Sequence, residues 1–221
     1  MVDLKLKLLR LKGVGDIAYF EYSQEEVGHL IRSDPVLGRF IIQVGFIERA
    51  VEPDLFCGLV TSIVGQQISS KAANTVFNRL LHAVESITPQ NIMAARNLNG
   101  IGIPKRRIEY IQAVASAFLS ESFPANALAD LSDDEVIKRL VSLPGIGKWS
   151  AEMCMIFSLK RKNILSWNDF GIKKGISVLY NENTFSPETF ALYKSKYSPY
   201  ASIASFYLWE AAKDPRRSSP V

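Results

Sequence analysis

A chain of 221 residues, 48% hydrophobic and 22% charged, can bury a sizeable core in one domain or two small subdomains, and its composition is that of an ordinary globular protein. A net charge of +4 and a pI of about 9.0 suit a polyanionic partner without demanding one. Two cysteines, Cys57 and Cys154, cannot ligate a four-cysteine iron–sulfur cluster, two distant histidines, His29 and His82, argue against a zinc centre, and no apolar run is long enough to span a bilayer.

In chain order, residues 1–26 read as an N-terminal extension. Leu4, Leu6 and Leu8 alternate there with Lys5 and Lys7, which is strand period and unlike the continuous apolar region of a signal peptide. A short β arm or a remnant of an N-terminal β subdomain is expected. The rest predicts helices over about 24–33, 35–50, 54–66, 69–85, 89–96, 105–120, 132–142, 148–159, 169–179, 187–195 and 199–212. Their connections are short and hold Gly, Pro, Asn or Ser. The fold class is therefore all-α. Residues 214–221, with Pro215, Arg216, Arg217 and Pro220, read as a loose tail.

Several of these elements carry local signals. The helix 54–66 is apolar (Phe56, Leu59, Val60, Ile63, Val64) and ends in Gln66-Gln67-Ile68 before Ser69-Ser70, a polar helix end. Leu98-Asn99-Gly100-Ile101-Gly102-Ile103-Pro104 leads into the basic run Lys105-Arg106-Arg107. Ser132-Asp133-Asp134-Glu135 has capping-box form. Pro144 stops the helix that follows it, and Gly145 and Gly147 permit positive φ. From Lys148 a helix restarts that is apolar almost all round, as a buried helix is. Its unpaired backbone N–H groups point out beside two glycines, where an anion fits. A ligand-free corner between two helices has the same pattern. Lys160-Arg161-Lys162 and Lys173-Lys174 add basic charge. By spacing alone, Asn168-Asp169 reads as a helix start. In the last helix, Tyr200, Ile203, Ala204, Tyr207, Leu208 and Ala211 make one apolar stripe, with Phe206 and Trp209 opposite. Such a helix is covered on both sides or lines a cavity.

Taken together, these motifs resemble the helix-hairpin-helix DNA glycosylase superfamily over roughly residues 27–212. Leu143-Pro144-Gly145-Ile146-Gly147-Lys148-Trp149 is similar to its hairpin, Leu59 to Ser69 to a second signature, and Asp34-Pro35-Val36-Leu37 to the entry of its first core helix. Leu98 to Arg107 is a weaker, glycine-basic match. The closest branch is the alkylation-repair one, of the 3-methyladenine DNA glycosylase II type. The cysteine count excludes the cluster-bearing branch.

The resemblance implies two helical subdomains with a cleft between them, one formed by 27–53 with 161–221 and the other by 54–160. It makes Asp169 the catalytic carboxylate, with Asn168 as the helix cap. It makes Trp149, Trp209 and Met153 walls of a base pocket, and Gln67 with Gln66 the wedge that fills the gap left by a flipped base. Some members carry leucine at the wedge position, and glutamine packs less well there. Gly145, Ile146, Gly147, Lys148 and Ser150 would hold a DNA phosphate. No cofactor is implied beyond a monovalent cation on the backbone of Gly145 and Gly147. Bifunctional members place a Schiff-base lysine two residues after the second hairpin glycine. Trp149 stands there, and Lys148, one residue early, is rotated by about 100°. The expected activity is thus hydrolytic release of alkylated purines, without strand cleavage, from double-stranded DNA by a monomer. Other damaged or deaminated bases, and a non-catalytic DNA-binding module, remain as alternatives. The expected location is intracellular: cytoplasm or nucleoid in a prokaryote, nucleus in a eukaryote.

Overall fold

The computed structural model describes residues 17–95, 97–120, 123–182 and 184–213. Of the N-terminal extension expected over 1–26, residues 1–16 lie outside these, as does the tail 214–221; of its described part, the Phe20 N–H donates to the Arg49 carbonyl at 2.7 Å and residues 24–26 are helical rather than extended. In chain order the helices are α1 (Gln24–Ser33), α2 (Pro35–Val44), α3 (Leu55–Gly65), α4 (Ser70–Val84), α5 (Pro89–Ala94) and α6 (Lys105–Leu119). A 3-10 helix (Ala125–Asp130) follows, then α7 (Asp133–Val141), α8 (Lys148–Phe157), α9 (Phe170–Tyr180), α10 (Pro187–Tyr197) and α11 (Ala201–Ala211). The 3-10 helix was not among the expected elements. The chain divides into two compact units: Met1–Ala18 with Ala50–Leu159, and Tyr19–Arg49 with Lys160–Val221.

The first unit is built around α3. Asp54 caps that helix by accepting from the Cys57 N–H at 3.0 Å. Nearly every residue after it is buried, because α4, α6 and α8 all pack on α3. Gly58 lets α8 approach closely: a Cβ there would stand 2.4 Å from Ser158 Oγ. Helix α7 packs on α8, which fixes both arms of the hairpin between them.

The second unit is built around α11, buried on all faces except at Glu210. The stripe and the Phe206–Trp209 face are both covered. Helices α2, α9 and α10 pack on it. Helix α2 ends at Val44, six residues before the expected 35–50 boundary. Gly45 takes φ +80°, which a side chain rarely adopts, and turns the chain out of the helix. The residues beyond it then serve tertiary contacts. Phe46 stacks on Tyr22 with ring centroids 4.4 Å apart. Buried Arg49 donates from Nη2 to the Phe206 carbonyl (3.2 Å) and to Glu210 Oε1 (2.6 Å), at the C-terminal end of α11.

Candidate active site

The hairpin lies in the first unit. The Ser132–Glu135 capping box is present in full: Ser132 Oγ accepts from the Glu135 N–H, and Glu135 Oε2 accepts from the Ser132 N–H at 3.0 Å. After α7, the chain turns through Gly145 at φ +80°. A Cβ at Gly145 would fall 2.4 Å from Tyr110 Cδ2, so both backbone conformation and space require glycine. Gly147 is the N-cap of α8 and offers no capping side chain. The first amides of α8 therefore form the anion-attracting end of a ten-residue helix, with Lys148 exposed beside them. Ile146 and Ser150 are buried, so what they offer a phosphate is backbone N–H.

The Gln66–Ser70 loop is tied to this hairpin. Gln66 Nε2 donates to the Gly145 carbonyl at 2.7 Å. Gln67, next in sequence, is exposed and sits at φ +55°, a left-handed conformation uncommon for a side-chain-bearing residue. A concavity of about 460 Å³ is lined by residues Gly65, Gln66, Gln67, Ile68, Ser69, Ser70 and Trp149. The structure thus brings Gln66, Gln67, Trp149 and the hairpin together in one unit. Met153 is buried one turn after Trp149 along α8. The two carbonyls expected to hold a monovalent cation are both already acceptors. Gly145 O takes the Gln66 amide, and Gly147 O takes the first helical bond from Ala151 N at 3.0 Å, pointing into α8. Each carbonyl oxygen keeps a second lone pair after that bond.

The carboxylate lies in the second unit. Asp169 is only 7% exposed and is itself the N-cap of α9, its Oδ1 accepting from the Ile172 N–H at 2.8 Å. Asn168, expected as the cap, is exposed in the preceding turn. It sits one residue too early, because α9 begins at Phe170. The same Oδ1 accepts a hydrogen bond from Trp209 Nε1 of α11 at 2.9 Å. Trp209 is 7% exposed. Two donors on one oxygen, each held by a separate helix, fix the orientation of the carboxyl group. Lys173 stands 3.8 Å from the centroid of Trp167, which in turn packs edge-on against Phe190.

Two features of this site escape local sequence reading. Tyr110 underlies Gly145 from α6, and Gly171 lies against both Trp209 and Asp169. Nothing in the spacing around Tyr110 signals its contact; Gly171 is visible only as a glycine in the first turn of a helix.

The comparisons with known proteins show the family whose motifs the hairpin and the capping aspartate carry. The model of the HhH-GPD superfamily base excision DNA repair proteins matches residues 60–197, and the chain belongs to this family. It is 32% identical over 170 residues to DNA-3-methyladenine glycosylase 1 of Schizosaccharomyces pombe, covering 74% of this chain and 75% of that protein. The crystal structure of a DNA-3-methyladenine glycosidase from Bacillus halodurans matches with a TM-score of 0.79 at 32% identity, over 91% of this chain and 95% of that one. A 3-methyladenine DNA glycosylase of Schizosaccharomyces pombe in complex with abasic DNA matches with a TM-score of 0.76 at 27% identity, over 89% and 100%.

Proposed function

We propose that this protein is a monofunctional DNA glycosylase that flips an alkylated purine of the 3-methyladenine type out of duplex DNA and releases it by hydrolysis. The observation that carries this reading is the carboxyl group of Asp169, buried at the start of α9 and oriented by the Trp209 indole. The 3-methyladenine glycosylases to which the chain is similar support the substrate class.

The chemistry follows from the residues. Breaking the N-glycosidic bond sends its electron pair off with the base and leaves an oxocarbenium-like sugar. A carboxylate held beside that sugar stabilises the developing positive charge, most strongly where water is scarce. Water then adds its oxygen to C1′, and its proton passes to a base, for which Asp169 is the candidate. An alkylated purine is already cationic and leaves readily, so no second acid is needed. The ring face of a tryptophan attracts a cationic base, and Trp209 stands beside Asp169. The hairpin amides and Lys148 hold a phosphate, and exposed Gln67 fills the space of the flipped base. Trp149, where a lyase needs its lysine, supports release without strand cleavage.

The test is base release from alkylated duplex DNA by pure protein. Asp169→Asn is expected to reduce release by at least about a hundredfold while retaining affinity for an abasic duplex. Wild-type release by Asp169→Asn overturns the mechanism. Borohydride is expected to trap no covalent enzyme–DNA adduct; a trapped adduct with strand cleavage overturns the monofunctional assignment.

A further inference from the structure

Helix α9 carries glycines at positions 171 and 175, one turn apart on the same face. That face is pressed onto α11. A Cβ built on Gly175 would fall 2.1 Å from the Leu208 carbonyl oxygen and 2.7 Å from its carbon, so the two helix backbones are in contact there. One turn earlier, a Cβ on Gly171 would fall 2.8 Å from Trp209 Cδ1, 3.3 Å from its Nε1 and 3.1 Å from Asp169 Oδ1. It would therefore enter the space occupied by the hydrogen bond between the indole and the carboxylate.

We infer that Gly171 is a positioning residue for the Asp169–Trp209 pair. Gly175 sets how closely α11 approaches α9. Gly171 then leaves, over the first turn of α9, the slot in which the indole ring lies while its N–H reaches Asp169. A methyl group in that slot meets the five-membered ring of the indole, whose rotamer is held by burial on α11, and must push the donor away from Oδ1. The inference rests on the glycosylase reading for its effect on rate, but not for its effect on the indole.

Two measurements on the full chain decide it. The protein has three tryptophans, and Trp209→Phe identifies which indole N–H resonance belongs to Trp209 in a ¹H–¹⁵N spectrum. Gly171→Ala is expected to move that resonance and leave those of Trp149 and Trp167 in place. In single-turnover release of an alkylated base, Gly171→Ala is expected to slow the reaction about tenfold or more, because small displacements at a reacting centre are costly. Abasic-duplex affinity is expected to hold within about twofold, since nothing removed touches the hairpin or wedge loop. Gly171→Ala/Trp209→Phe is expected to be no slower than Trp209→Phe alone, because both changes act on one hydrogen bond. If Gly171→Ala does not fold, the double variant, with its smaller ring at 209, should restore folding.

An unmoved Trp209 resonance overturns the inference. So do rate losses that multiply in the double variant, or a double variant as unfolded as Gly171→Ala. A wild-type protein that releases no alkylated base defeats the glycosylase reading instead, and the spectrum still decides Gly171.

Discussion

At Asp169 a single oxygen, Oδ1, receives both the Ile172 amide and the Trp209 indole N–H. Helix capping and site geometry are thus one interaction. Asparagine keeps an acceptor at that atom, whereas alanine would also remove the cap, at about 1 kcal/mol. Asparagine is therefore the cleaner probe of chemistry. The two neighbouring glutamines divide their work differently. Gln66 braces the loop against the hairpin, while Gln67 is exposed and holds positive φ. Gln67→Gly is expected to relieve a left-handed conformation that costs about 1–2 kcal/mol, less the added unfolded-chain entropy of glycine, and so to raise stability by roughly 0.5–1 kcal/mol in denaturant melts, while lowering the rate of base release. Gln66→Ala is expected to lower stability by about 1 kcal/mol, the worth of a typical hydrogen bond. Equal stability changes of the same sign at both positions would contradict this division.

At the scale of elements, α8 begins where the hairpin ends, and its first amides have no side chain capping them from Gly147. An exposed cation at the next position adds to the helix dipole. Lys148→Ala is expected to weaken duplex binding and to reduce the slope of log affinity against log salt by about one. Titrations at several salt concentrations measure it, and an unchanged slope removes Lys148 from the phosphate contacts. The pairing of α9 with α11 is the other element-scale determinant, because it joins the carboxylate to its indole partner across 40 residues of sequence.

At the scale of the whole chain, the second unit is assembled from two separated stretches, and ion pairs with one buried partner each, Arg49 and Glu26, fasten them. Arg49 joins Glu210, and Lys162 joins Glu26 at 2.6 Å. Burial works against the charge on Glu26, but hydrogen bonds from Lys162 and the Ser23 amide outweigh it and hold its carboxyl below the ordinary glutamate range. A depressed folded-state value means stability that is present above the unfolded value, about 4.3, and lost as pH falls through the folded one. Glu26→Gln is therefore expected to be less stable than wild type at pH 7, with the difference closing as the pH falls below about 4. Thermal melts across that range check it; a gap that persists at low pH would show that the ion pair is not its source.

The sequence by itself determined the α-helices, most of their ends, the Ser132–Glu135 capping box and the hairpin, because these depend on residues within one turn of each other: serine with glutamate three positions on, proline after a helix, glycine where φ turns positive. It also marked Asp169 and Trp209 individually, through the resemblance their motifs carry. Only the tertiary structure decided that Asp169 rather than Asn168 caps α9, that the indole bonds to that same carboxylate oxygen, that Gln66 reaches a carbonyl 79 residues away, and that Gly171 and Tyr110 shape the space around these contacts. Those facts depend on how closely packed helices approach one another. Side-chain volume summed over distant residues sets that distance, and no local window of sequence contains it.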